Sequence, residues 1–167
     1  PKAEYPYLTS ALCMAWVGRE ADARKCIEEG LEPNPGSKLI RATLAFLAFR
    51  RGDRDTFRNL QEEMGEAWPP AHSMAALLAG LQDDFDRGPA ALHSRFQGFL
   101  KISQAQDWDR KNLAERRTTA VNLYHMAEAS ALRGDRDLAL RLLVEAERLH
   151  PGKRRTAQKD PLLKGLS

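Results

Sequence analysis

At 167 residues, 43% of them hydrophobic, the chain is long enough to bury a sizeable core and too apolar for wholesale disorder. Its 26 basic residues against 23 acidic ones leave a net charge of +3, too small an excess to demand a nucleic-acid partner. Two cysteines, Cys13 and Cys26, cannot build a disulfide framework or a four-cysteine zinc site, and no apolar run approaches the ~20 residues that cross a bilayer. The chain opens at Pro1 without a methionine, as an excised or processed piece would. A cytoplasmic location is expected, or a fragment of a membrane-associated protein.

Gly18 and Gly52 stand 34 residues apart, and so do Pro35 and Pro69. A fixed period of this size is the signature of a repeat whose unit is a helical hairpin. In the first unit, residues 5–35, Tyr7, Ala11, Met14 and Ala15 recur at helical spacing and Gly18 ends the run. A second helix over 21–30 carries Ala23, Ile27 and Leu31 on one face and is stopped by Pro33 and Pro35. The second unit, 37–69, repeats the plan: Leu44, Ala45 and Ala48 on one helix, a turn at Gly52-Asp53, then Phe57, Leu60 and Met64, with Pro69 and Pro70 closing it.

The third unit, 71–103, keeps the register through Ala79, with Ala91 and Gly98 as the small residues of its second helix, 89–102. Asp86 stands where glycine is expected, and Gly88 follows two residues later. A 14-residue insertion, 104–117, centres on Trp108 and reads as a lengthened helix or a loop preceding one. The fourth unit, 118–151, is clear: Ala127, Gly134-Asp135, Ala139, Leu143, Ala146 and Pro151. The tail 160–167, with Pro161 at a helix start and Leu162, Leu163 and Leu166 on a short face, reads as a cap over an otherwise open apolar face.

These residues resemble the tetratricopeptide repeat (TPR), whose pattern runs W-x2-L-G-x2-Y, then an alanine and an aromatic, then a proline. Tyr7, Ala11, Met14, Ala23, Ile27 and Pro35 occupy those places in the first unit, although Ser10 stands for the usual leucine. In the second unit Leu44 and Ala45 match, while Arg41 replaces the tryptophan and Phe57 the small alanine. The resemblance implies an all-α, right-handed superhelical solenoid. Ala11, Ala45, Ala79 and Ala127 would let neighbouring helices approach closely.

Catalytic chemistry needs convergent polar groups, and the four histidines, His72, His93, His125 and His150, are scattered. His125 and Glu128 are three apart and can meet on a helix, yet one such pair is too small for zinc. Nucleophile-elbow, Walker-type and dinucleotide-binding glycine patterns are missing. No enzyme activity, cofactor or metal is therefore expected. Asp83, Asp84 and Asp86 lack EF-hand spacing and read as helix-end solvation, with an electrostatic contact as the alternative. Arginine-rich clusters lie at Arg50-Arg51-Arg54, Arg110-Lys111-Arg116-Arg117 and Lys153-Arg154-Arg155, the last joined by Lys159 as a candidate phosphate contact.

In the TPR family the first helix of each unit lines a concave groove that holds peptides or helices. By register this assigns Tyr5, Leu8, Leu12, Ala15 and Trp16, then Leu39, Ala42, Phe46, Phe49 and Arg50. Ser73, Ala76, Gly80 and Asp83 follow, and lastly Val121, Tyr124, Glu128 and Ala131. Aromatic and arginine side chains anchor interfaces, so Leu12, Trp16, Leu39, Phe46, Phe49, Arg50 and Tyr124 are the expected partner-binding residues, with Phe46 and Phe49 as an exposed patch. The lysine/asparagine clamp of the chaperone-binding branch is missing, its places being held by Leu, Ala and Phe.

The function implied is a protein–protein interaction scaffold for a partner peptide, an amphipathic helix or a second copy of the chain. Arginine-rich composition suggests a bacterial source, where secretion, pilus or exopolysaccharide assemblies use such modules. Alternatives are a regulatory or sensor module of a larger enzyme or transcription regulator, and a phosphate- or nucleic-acid-binding surface on the arginine clusters. Occupation of the groove by 104–117 is the competing internal arrangement.

Overall fold

Proline and glycine punctuation divides the chain into helices, and every regular element among the described residues is helical. The computed structural model describes residues 4–65, 68–69 and 72–166, apart from the side chain of Arg154. Pro1, Pro70, Ala71, Ser167 and that side chain, on which some of the expectations fall, lie outside the described residues. The chain divides into two compact units, Pro1–Ala67 and Trp68–Ser167.

In the first unit α1 (Tyr5–Trp16) packs on α2 (Glu20–Leu31), and α3 (Lys38–Arg50) on α4 (Arg54–Met64), with α2 also against α3. Leu8, Ala11 and Ala15 form the buried stripe of α1, and Ala23, Ile27 and Gly30 that of α2. A Cβ on Gly30 would lie 2.9 Å from the Tyr7 side chain, so glycine there permits the close approach of the two helices. Ser37 caps α3, its Oγ accepting the Ile40 N–H at 3.1 Å. Phe57, Leu60 and Met64 bury one face of α4, as their spacing predicts.

The turn at Gly52 follows a hydrogen-bonded pattern that recurs in the second unit. Gly52 has φ +72°, its N–H reaches the Phe49 carbonyl, and the Asp53 N–H reaches the Ala48 carbonyl at 2.9 Å. Asp53 then caps α4 by accepting the Thr56 N–H at 3.1 Å. Gly134, at φ +82°, repeats the arrangement with Ala131, and Asp135 with Ser130 and Leu138. Both turns read Arg-Gly-Asp-Arg-Asp, at 51–55 and at 133–137.

The second unit contains α5 (Ser73–Arg87), α6 (Pro89–Ala105), α7 (Leu113–Leu132), α8 (Arg136–Leu149) and the short α9 (Lys153–Ala157). Here α5 pairs with α6 and α7 with α8, while α7 also meets α5 and α6 and thus occupies the centre. The α5–α6 turn departs from the repeat plan: α5 runs on through Asp86, and Gly88 alone links it to Pro89. Gly80, not Ala79, lies under a neighbouring ring, its would-be Cβ 2.1 Å from Phe96. Leu92, Phe96 and Leu100 bury α6, leaving Ala91 half-buried and Gly98 exposed.

The 104–117 insertion resolves into both expected forms. It completes α6, makes a single 3₁₀ turn at Trp108–Arg110, and supplies the first turn of α7. The Trp108 indole N–H donates to the Ser103 carbonyl at 2.7 Å, and Asn112 caps α7 at the Glu115 N–H. Ala127, Ala139, Leu143 and Ala146 are buried, matching the packing expected of the fourth unit. Past α9 the chain makes turns over 161–165 and not the capping helix expected from Pro161. Leu163 is fully buried there while Leu162 and Leu166 are half-buried, so the 158–166 segment covers apolar surface through one side chain.

Candidate functional site

An open groove of about 660 Å³ runs along α5 and α6. Its floor is made of Ala75, Ala76 and Ala79 from α5 with Ala91 and Gly98 from α6. These side chains are too short to fill the space between the helices, and nothing lies within 4 Å of a Cβ built on Gly98. Phe99 and Ile102 border the groove, and Ile102 is 66% exposed. Asp83 closes one end, accepting from Arg95 at 2.9 Å and pairing with Arg87 one turn away. Burial would raise the Asp83 carboxyl, but the two guanidinium groups outweigh it and hold the pKa below the usual value. The groove therefore joins an apolar floor to a charged rim, a chemistry suited to an amphipathic segment.

Two of the groove residues expected in the third unit, Ala76 and Asp83, line this space; Ser73 and Gly80 are buried instead. In the first unit Tyr5 is exposed, Leu12 and Trp16 are half-buried, and Leu8 and Ala15 are buried. Leu39 is half-buried as well.

The exposed patch expected of Phe46 and Phe49 does not form, since they are 3% and 0% accessible. From Ala42 to Phe49 every residue of α3 is buried, so spacing along the helix could not separate a packing face from a free one. Arg50 is likewise turned inward: its Nε donates to Glu20 at 2.9 Å and its Nη2 to the Ala15 carbonyl at 3.4 Å. Tyr124 is buried, and so is Glu128, which register assigns to the same open face.

Tyr124 and Glu128 belong instead to a buried polar cluster. The Tyr124 hydroxyl donates to Asp160 at 2.9 Å, and His125 Nδ1 lies 2.6 Å from Glu128. The Asp160 carboxyl also hydrogen-bonds Glu128, and Lys153 Nζ sits 5.8 Å from the centre of the Tyr124 ring. Helical spacing anticipates the His125–Glu128 contact. It gives no sign of Asp160 or Lys153, which come from beyond α8. Asp160 before Pro161 signals only a local cap, and its Oδ1 does accept the Leu162 N–H at 2.9 Å.

Other polar ties join distant segments, among them Arg133 to Asp84, Asn122 to Ser73 at 2.6 Å, Ser103 to Glu145 at 2.7 Å and His93 Nδ1 to Asp135 at 2.5 Å. His72, at the start of α5, accepts the Met74 N–H through Nδ1, and burial lowers its pKa, favouring the neutral ring that can accept. Among the described residues no set of three His, Cys, Asp or Glu side chains is arranged to hold a metal. No helix among the described residues is long and apolar enough to cross a membrane. No family model, curated protein or solved structure matches this chain.

Proposed function

We propose that the chain is a non-catalytic, TPR-like interaction scaffold, a right-handed solenoid that takes an amphipathic helix or peptide of a partner protein along the α5–α6 groove. The observation that carries this reading is the groove itself, with its alanine and glycine floor, exposed Ile102 and charged Asp83 rim. A helix presenting small or flat apolar residues would bury that floor, while polar groups at one end would meet Asp83, Arg87 and Arg95. Four of the seven residues favoured by sequence are less suited to first contact, because Phe46, Phe49 and Tyr124 are buried and Arg50 is engaged by Glu20.

Gly98→Arg tests the reading, since the position is open and the added side chain would cross the groove. Affinity capture from the native source should recover a partner with the unaltered chain and with an exposed-site control, Lys25→Ala, but not with Gly98→Arg. Recovery of the same proteins by folded Gly98→Arg would rule the groove out.

A second reading, a phosphate-binding surface, draws on Arg117 and Lys153, both close enough to His150 to lower its pKa alongside burial. Binding of that kind would weaken steeply with salt, whereas apolar groove binding would not. Arg50, Arg133 and Arg148 are committed to carboxylates, which favours the first reading.

A further inference from the structure

The 158–166 segment is fastened to α7 through a group that ordinarily prefers water. Asp160 is 0% accessible, and the side chain it touches on α7, Glu128, is also 0% accessible. Two carboxyl groups in hydrogen-bond contact and out of solvent are poorly tolerated as two anions, because each charge opposes the other and neither is hydrated. One proton shared between them removes the conflict. Glu128 is the natural acceptor, since His125 Nδ1 lies 2.6 Å from its Oε2 and can donate to it. The proton then resides on Asp160, which donates to Glu128 while accepting from the Tyr124 hydroxyl and the Leu162 N–H.

The surrounding charges come from each packed element. From α7 there are Tyr124, His125 and Glu128, and from α9 there is Lys153, whose pKa burial lowers while Glu128 and Glu147 pull it back up. His150, following α8, is lowered by burial and then by Lys153 and Arg117. Arg136 of α8 donates to the Gly165 carbonyl at 3.0 Å, an uncharged anchor for the far end of the segment. The segment's own Lys159 and Lys164 are exposed. Leu163 supplies the apolar anchor.

We propose that residues 158–166 form a proton-latched strap over α7, docked while Asp160 and Glu128 share a proton and loosened as that proton leaves. Release would uncover Tyr124 and Glu128, the α7 face that register assigns to a groove, so the strap is an internal occupant of that face. This inference does not depend on the α5–α6 groove.

Burial, then the charge of Glu128, lifts the Asp160 carboxyl from 3.8 to about 6. A pKa raised in the docked state makes docking strongest below the free value and weakens it as pH rises through the docked one. Between pH 5 and pH 8 the docking equilibrium should fall about tenfold.

Amide hydrogen exchange at Leu163, Lys164 and Leu166, corrected for the intrinsic pH dependence of exchange, reads this directly. The expected result is a roughly tenfold loss of protection from pH 5 to pH 8, with Leu92 in α6 unchanged, and no loss in Asp160→Asn, which keeps a donor toward Glu128 without a charge. Equal protection at both pH values, or an equal fall at Leu92, would overturn the latch. Should Asp160→Asn fail to fold, the ¹³C shift of the Asp160 carboxyl in the unaltered chain decides: a midpoint near 6 supports the proposal, and one at or below 4 refutes it.

Discussion

Arg133 grips Asp84 with two nitrogens, its Nε 2.9 Å and its Nη2 2.7 Å from Oδ2, and so ties the end of α7 to α5 across 49 residues of sequence. Asp84 is almost wholly buried, with 4% of its side chain accessible, while Arg133 retains a partly exposed edge. The two-pronged geometry fixes the approach of the helices more tightly than a single charge would.

Removing the arginine should therefore cost more than an exposed ion pair. Arg133→Ala leaves a buried carboxylate without this partner and is expected to destabilise by about 3 kcal/mol. Arg133→Lys keeps the charge but loses the fork, for about 1 kcal/mol. Denaturant midpoints for the two variants test the order. Equal midpoints for Ala and the parent chain would mean that the pair contributes nothing to stability.

Gly80 and Gly98 should respond in opposite directions to the same substitution. Gly80→Ala drives a Cβ to within 2.1 Å of the Phe96 ring and should lower stability by about 1–3 kcal/mol. Gly98→Ala meets nothing within 4 Å and gains helix propensity, raising stability by about 0.5–1 kcal/mol. Thermal unfolding of both variants, and of Gly80→Ala with Phe96→Leu as partial rescue, measures the contrast.

Replacing Phe46 and Phe49 together with serine should unfold the first unit. Each deletion of a buried phenylalanine ring costs about 3–5 kcal/mol before the buried hydroxyl is counted, and two exceed the margin of a small unit. Circular dichroism of the double variant should show loss of helix at room temperature. Native helicity and an unchanged midpoint would return the pair to the surface.

Acid should weaken the second unit through Glu145. Burial tends to raise this carboxyl, but hydrogen bonds from Arg148 at 2.7 Å and Ser103 at 2.7 Å prevail and hold its pKa below the usual value. A depressed carboxylate contributes stability above its unfolded pKa and loses it as pH falls through the folded one. Glu145→Gln should thus be less stable than the parent chain at pH 7, with the gap closing toward pH 3. A gap independent of pH would place the effect in packing.

The helical hairpins were legible because their signals are local. Glycine at 18, 52 and 134 adopts positive φ in each turn, and the aspartates at 53 and 135 cap the helix that follows. What escaped was set by residues far away in the chain. The same pentapeptide puts Arg51 within 3.7 Å of its neighbour Asp53 but sends Arg133 to Asp84 on another helix. Tyr124 and Glu128 look like an outward polar face until Asp160 is brought onto them. In the third unit α5 runs past the expected turn to Arg87, and the close contact falls on Gly80 and not on Ala79. Ala76 and Asp83 do line the groove, so part of the candidate groove was visible in advance.

The paired Arg-Gly-Asp-Arg-Asp turns also bear on how fast the chain reaches its structure. Each closes within a few residues, so α3 can find α4, and α7 can find α8, with little loop-closure entropy. Helical proteins dominated by such near-neighbour contacts refold in microseconds to milliseconds. Lengthening either turn with a flexible insert would slow the search only gently, because closure entropy grows with the logarithm of loop length. The ties from Arg133 to Asp84 and from Asn122 to Ser73 each span 49 residues and that from Ser103 to Glu145 spans 42, so their closure costs more chain entropy than either turn.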